Sequence, residues 1–299
     1  MSSVARRRVL VLMGGAPLWL LVGGCETPRA RRGGPAFVPP PAQAPGDERA
    51  MFERINRDRS GRGHPPLAYD DRLAGVARAH ALDMRTHRFF DHTSPTTGTL
   101  EDRLVAADIP CATARENLAE SWEVQAAQDG LLASPGHFEN LMATDVTHVG
   151  VGVVRGGAVD ARNSLFVQVF ARPVPVESSQ EAEARVRQRI AEARVARGLA
   201  APVSDPALEA AARDLVGSLD EEASQSSLEA VSATLVQRLA GRVTAPITVL
   251  GRRVVASTEY TPEPALLASP RIALGLAAQS LRDSSGSRFL KLLVFARPA

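Results

Sequence analysis

The strongest constraint on the fold of this chain is that it contains its own frame twice. A run beginning at Ile55, INRDRSGRGHPPLAYDDRLAGVAR, aligns without a gap with IAEARVARGLAAPVSDPALEAAAR, beginning at Ile190. Arg59 meets Arg194, Gly63 meets Gly198, Asp70 meets Asp205 and Leu73 meets Leu208. The two halves also close alike, with VQVFARP ending at Pro173 and KLLVFARP ending at Pro298. Matched beginnings and matched ends point to a tandem duplication. A chain of 299 residues has room for two domains of ordinary size. The expected division is 47–175 and 176–299, with a linker near Val174 to Gln180.

Periodicity places helices before strands in each half. Met51, Phe52 and Ile55 recur at helical spacing. Asp70 is a natural N-cap for a second helix, whose apolar face carries Leu73, Val76, Ala77, His80, Ala81 and Met84. Thr99-x-x-Asp102 reads as a capping box. A fourth helical stretch follows Trp122 and ends near Pro135. HVGVGVV and SLFVQVFA are β-rich runs separated by a Gly-rich turn. The second half offers PITVLGRRVVAS, IALGLAAQ and FLKLLVF as strands. The fold class is therefore α+β, with helices packed on an antiparallel sheet.

The N-terminus sets the compartment. Arg6-Arg7-Arg8 precede the apolar run VLVLMGGAPLWLLVGG, which ends at Cys25 after small residues. Residues 1–25 read as an export signal, to be left out of the fold. Val22-Gly23-Gly24-Cys25 resembles a lipobox, so Cys25 is the expected site of lipidation and a lipid anchor the expected link to a membrane, at the periplasmic face or the cell surface. Residues 26–46 are rich in Pro, Gly and Arg and read as a tether. With Cys25 taken by lipid, Cys111 has no partner for a disulfide and is expected to be a small buried hydrophobe. The net charge of +2 and an aromatic content of 4% give no field and no stacking surface for nucleic acid.

All six histidines lie in the first half. His64 falls in a turn, His80 on the apolar stripe of its helix, His87 near that helix's end and His148 at the start of a strand, where a surface or edge position is expected. His92, in FFDHTSP, and His137, in SPGHFENLM, lie outside apolar periodicity in turn-rich segments, where functional side chains often sit. Glu116, in ARENLAESW, is the third candidate. Spacing alone does not bring these three together.

The order of LAGVARAHALDM, FFDHTSPTTGT, RENLAES, SPGHFENLM, THVGVGVV and FVQVFA resembles the bacterial, SCP-like branch of the CAP superfamily, named for cysteine-rich secretory proteins, antigen 5 and plant pathogenesis-related proteins. The resemblance covers roughly Asp47 to Pro173. The second half resembles that family only in its frame. The resemblance implies an α-β-α sandwich with a cleft, where two histidines and two acidic residues are typical and some members hold a divalent metal. It assigns His92, Glu116 and His137 to the cleft, with Ser134, Asn117 and Asn140 as supporting residues. Arg115 replaces the usual glycine of the family pattern, Phe138 the usual arginine and Leu131 the usual tryptophan. The second acid has no clear counterpart; Glu120 and Glu123 are nearby substitutes.

Two imidazoles and a carboxylate suit Zn2+ or another divalent ion with an open position. The same groups could bind an envelope lipid or glycan without metal. They could also serve a metal-dependent hydrolase of an envelope ester, amide or glycan, and the resemblance does not choose among these. Ser134 is a poor nucleophile candidate, because no Gly-x-Ser-x-Gly elbow is present. The second half contains no histidine and cannot rebuild the site. It reads as a degenerate copy; a purely structural tandem with a vestigial site is the remaining alternative. Its LLASP at Leu266 aligns best with LMATD at Leu141, just before a strand.

Overall fold

The computed structural model describes residues 10–11, 46–239 and 245–299. Most of the leader, Cys25 and the tether lie outside these residues. The chain forms two compact units, Gly24–Val174 and Pro175–Ala299 with Met1–Gly23. Both are α+β. Among the described residues no helix is long and apolar enough to cross a membrane.

The unit containing Gly24–Val174 starts with α1 (Gly46–Ser60), then β2 (Ala68–Tyr69) and α2 (Asp71–His87). The label β1 belongs to Leu10–Val11, which pairs in the other unit. Next come α3 (Leu100–Ala106), β3 (Cys111–Ser121), α4 (Val124–Ala133) and α5 (Pro135–Met142). The hairpin β4 (His148–Arg155) and β5 (Ser164–Pro173) ends the unit. The sheet order is β2-β4-β5-β3, with β2 parallel to β4 and the other pairs antiparallel. The sheet is covered on both faces. Leu73, Ala77, Ala81 and Met84 of α2 pack with Leu118, Val167 and Val169 on one side. Met51, Phe52 and Ile55 of α1 pack with Leu131, Leu141, Phe166 and Phe170 on the other. This is the three-layer arrangement that the resemblance implies.

Local chemistry fixes α2 against the sheet. Asp70 caps it by accepting from the backbone N–H groups of Arg72 and Leu73 at 2.8 and 3.1 Å. Gly150 and Gly152 of β4 let the helix backbone lie directly on the strand. A Cβ on Gly150 would sit 2.1 Å from the Ala74 nitrogen, and one on Gly152 would sit 2.2 Å from the Arg78 nitrogen. Four helix residues rise about 6 Å and two strand residues about 6.6 Å, so the two contacts stay in step along nearly aligned axes.

The other unit comprises α6 (Ser179–Val195), β6 (Val203–Ser204), α7 (Pro206–Leu215), α8 (Gln225–Arg238), β7 (Thr248–Val254), β8 (Ile272–Arg282) and β9 (Arg288–Pro298). Its sheet order is β1-β7-β9-β8-β6. Without the two residues of β1, this order and its strand directions match those of the first sheet. Residues paired in the sequence play matching parts. Buried Arg59 donates to the carbonyls of Pro65, Leu141 and Ala143 at 2.7–3.0 Å. Buried Arg194 donates to those of Ala200, Leu266, Ser269 and Pro270. Leu266 thus answers Leu141, the alignment preferred from the sequence. Asp205 caps α7 as Asp70 caps α2, and a Cβ on Gly275 would meet Leu208 at 2.2 Å as one on Gly150 meets Leu73.

Candidate functional site

Glu116 lies on β3, a strand that sequence periodicity did not reveal. RENLAES is too polar to read as a strand, because β3 is an edge strand and carries site residues on both faces. Glu116 sits beside α2 and α3 on one face, and Asn117 turns to the opposite face. Glu116 is 6% exposed and both its oxygens are engaged. Oε1 accepts from His92 Nδ1 at 2.9 Å, and Oε2 accepts from Arg103 Nη2 at 2.7 Å. Arg103 also donates to the carbonyls of His92 and Gly98, at 3.1 and 2.8 Å. One guanidinium therefore holds both the carboxylate and the loop that carries its histidine.

Sequence reading missed Arg103 as a site residue. Its one trace was a charged residue beside Leu104, in the helix opened by the Thr99–Asp102 box, which is present as a two-way cap. His80, expected as a hydrogen-bonded core residue, is fully buried, with Nε2 3.1 Å from the Asp91 carbonyl. A carbonyl can only accept, so Nε2 carries the proton. His80 Nε2 also lies 4.0 Å from Glu116 Oε1, which places His80 beneath the site. Burial pushes its pKa down, against the opposing pull of Glu116.

The loop bearing His92 is clamped at several points. Ser94 and Gly98 exchange backbone hydrogen bonds at 2.8 and 3.1 Å. Asp83 of α2 accepts from Thr96 Oγ1 at 2.8 Å and from the Ser94 hydroxyl. The His92 ring is exposed, and its hydrogen bond to Glu116 raises its pKa, against partial desolvation. Since Nδ1 donates to Glu116, Nε2 holds the lone pair of the neutral ring.

His137 is the third residue of α5. Ser134 is the N-cap by backbone geometry but makes no side-chain cap bond, and Pro135 opens the helix. The His137 ring is half-buried and makes no hydrogen bond among the described residues. Burial lowers its pKa first, and the charge of His92 adds to this, so the two imidazoles influence each other. The His137 carbonyl accepts from Asn117 Nδ2 at 3.1 Å. Asn140 donates to the Glu116 carbonyl at 3.1 Å and to Asn117 Oδ1 at 3.0 Å. Asn117 continues to Gln168 at 3.2 Å, and Gln168 to Gln128 at 2.9 Å. Asn117 and Asn140 thus fix α5 to the edge strand by a buried amide network. Ser134 has no side-chain part in it.

The other departures have local roles. Arg115 pairs with Asp145 at 2.8 Å, Phe138 packs against the core with Arg62 over its ring, and Leu131 is buried in that core. Glu120 is no fourth cleft acid: its oxygens accept from the backbone N–H groups of Ala158, Val159 and Asp160 and anchor the β4–β5 turn. Glu123 is exposed beyond the end of β3. Cys111 is half-buried, and burial pushes its thiol up to about 11. His148 is half-buried where a surface or edge residue was expected, because β4 pairs on both sides.

Among the described residues no three His, Cys, Asp or Glu side chains converge closely enough to enclose an ion. The donor chemistry is narrower than the expected three-ligand set. With both Glu116 oxygens engaged, the nitrogens left open are His92 Nε2 and those of His137. An ion here would have to be held by the two imidazoles, with Glu116 behind His92 as the partner that sets its tautomer.

The motif order agrees with a comparison of known families. Residues 52–170 match the CAP model, described as the cysteine-rich secretory protein family. That segment is a CAP domain. YkwD of Bacillus subtilis is 33% identical over 120 residues, 40% of this chain and 47% of that protein. The membrane protein YlbC of the same organism is 37% identical over 109 residues, 36% and 32% of the two chains. The chain therefore spans about half or less of the length of these curated relatives. A solved extracellular SCP-domain protein of Bacillus anthracis is 37% identical, with a TM-score of 0.39, covering 42% of this chain and 40% of its own. An outer surface protein of Borrelia burgdorferi is 26% identical, with a TM-score of 0.39, covering 43% and 93%.

Proposed function

We propose that this is an exported CAP-domain protein, anchored by lipid on Cys25, whose His92–Glu116–His137 cleft binds a divalent cation such as Zn2+ and an envelope lipid or glycan. The observation that carries this is the chain from buried Arg103 through buried Glu116 to His92. It fixes an exposed imidazole with Nδ1 bonded and Nε2 open. His92 and His137 would hold the ion, and Glu116 would orient His92. A bound Zn2+ would supply Lewis acidity to a ligand oxygen.

The protein's own residues do the positioning. Arg103 keeps the Glu116 carboxylate from turning, and Asn117 and Asn140 keep α5 against β3. Engagement of both Glu116 oxygens speaks against that residue as a general base. Binding is therefore the reading favoured over hydrolysis.

Zinc titration of the full chain by calorimetry tests this. His92→Ala and His137→Ala should each abolish tight binding. Glu116→Gln should weaken it about 10- to 100-fold, as loss of an outer partner does. Equal, negligible binding by all four proteins would sink the metal reading.

The lipid anchor rests on the lipobox-like Val22-Gly23-Gly24-Cys25 and on YlbC being named a membrane protein. Cleavage before Cys25 would remove β1, yet β7-β9-β8-β6 would remain as complete as the first unit's sheet. Identical processing and membrane retention of Cys25→Ser and wild type would refute lipidation. We read the second unit as a degenerate copy of the first, supported by the paired Arg59/Arg194 and Asp70/Asp205 contacts and the shared strand order.

A further inference from the structure

A second site lies at the far end of β3, away from the histidine cleft. A cavity of about 750 Å3 opens there between α1, the β3–α4 turn and the β4–β5 hairpin. Its volume falls within the range of roughly 300–1,000 Å3 usual for small-molecule sites. Trp122 is six residues along from Glu116, roughly 20 Å at about 3.3 Å per strand residue.

Trp122 lines this cavity and is 73% exposed. Its two-residue turn is held between Ser121, the last residue of β3, and Val124, the first of α4. The indole is therefore an apolar plate exposed to water, on the wall of a polar cavity. The side chains of Arg57, Glu53, Glu123 and Gln125 line the same cavity and make no hydrogen bond or ion pair among the described residues. They offer both donors and acceptors around the plate.

The charge pattern narrows the ligand. Three further arginines line or border the cavity, but each has a carboxylate: Arg54 with Asp129 at 3.2 Å, Arg155 with Asp47 at 3.8 Å and Arg162 with Asp160 at 2.7 Å. Such a surface lacks the excess positive field that draws a polyanion or an anionic bilayer. An exposed aromatic face amid hydrogen-bonding groups of mixed charge suits a ligand with an apolar ring face and an edge of hydroxyls and amides.

We propose that the cavity walled by Trp122, with Arg57, Glu53, Glu123 and Gln125, is an oligosaccharide-binding site for an uncharged amino-sugar glycan. One sugar ring stacks on the Trp122 indole, and its neighbours bond to the polar groups. The site works independently of the histidine cleft and would hold the protein on a glycan of the envelope.

The chain has two tryptophans, Trp19 and Trp122. In full-length protein carrying Trp19→Phe, Trp122 is the only indole, and its emission reports the site directly. Titration with N-acetylglucosamine oligomers of three to six units should give a saturable blue shift. Co-sedimentation of the full chain with insoluble chitin should fall about tenfold or more in Trp122→Ala and measurably in Arg57→Ala. It should be unchanged in Arg115→Ala, which lies outside the cavity. Trp122→Phe should retain part of the binding, and circular dichroism should match across the set. Three results would each overturn the proposal: no emission change and no sedimentation with these glycans; a change with phosphatidylglycerol vesicles alone; or sedimentation equal in wild type and Trp122→Ala.

Discussion

Glu116→Ala is the perturbation that most directly tests how the cleft is held. Glu116 and Arg103 form a nearly dry ion pair, with side chains 3% and 5% exposed and 2.7 Å between charged atoms. Removing one partner of a buried pair leaves the other charge uncompensated and costs about 3–5 kcal/mol. Arg103 would keep its bonds to the His92 and Gly98 carbonyls, so the lower end, about 3 kcal/mol, is expected. A domain of this size loses about 4 °C of Tm per kcal/mol, which gives a fall of about 12 °C. Urea unfolding followed by Trp122 emission in the Trp19→Phe background reads the first unit. The decisive comparison is Glu116→Ala with Arg103→Met. If the cost is an orphaned charge, the double variant should be more stable than the sum of the singles, by about 1–3 kcal/mol. A Glu116→Ala loss under about 0.5 kcal/mol, or strict additivity in the cycle, would refute the reasoning.

Other outcomes follow from the same geometry. Gly150→Ala drives a methyl to within 2.1 Å of the α2 backbone and should cost at least about 2 kcal/mol, whereas Gly130→Ala, with open space around it, should be neutral or stabilising by up to about 1 kcal/mol in urea unfolding. With Cys25→Ser in place, Cys111 should resist iodoacetamide at pH 8. A thiol pushed up to about 11 from an ordinary 9.0 is about 100-fold poorer in thiolate, and mass spectrometry of native against unfolded protein reads the difference. Burial lowers the pKa of His148, against the pull of Asp70, so its ring resonance should titrate below the ordinary value of about 6.5. The folded pKa is depressed, so the first unit should lose stability as pH falls from about 6.5 through that midpoint, and less so in His148→Gln.

The sequence by itself determined the frame. Helix faces, the caps at Asp70 and Thr99, the β4–β5 hairpin and the repeated opening were all legible, because each is a local pattern of residue types at fixed spacing. The motif order marked His92, Glu116 and His137, although residue spacing did not join them. What only tertiary structure decided is how those residues are used. β3 escaped notice because an edge strand bearing a polar site lacks apolar alternation. Arg103 and His80 looked like helix residues until folding brought them to one carboxylate, Arg103 within 2.7 Å and His80 within 4.0 Å. Glu120 looked like a spare acid until the β4–β5 turn supplied three N–H groups to bind it. Each of these partners comes from another element of the fold. A carboxylate's role depends on which donors reach it, and that is set by packing across the sheet, not by neighbours in the sequence.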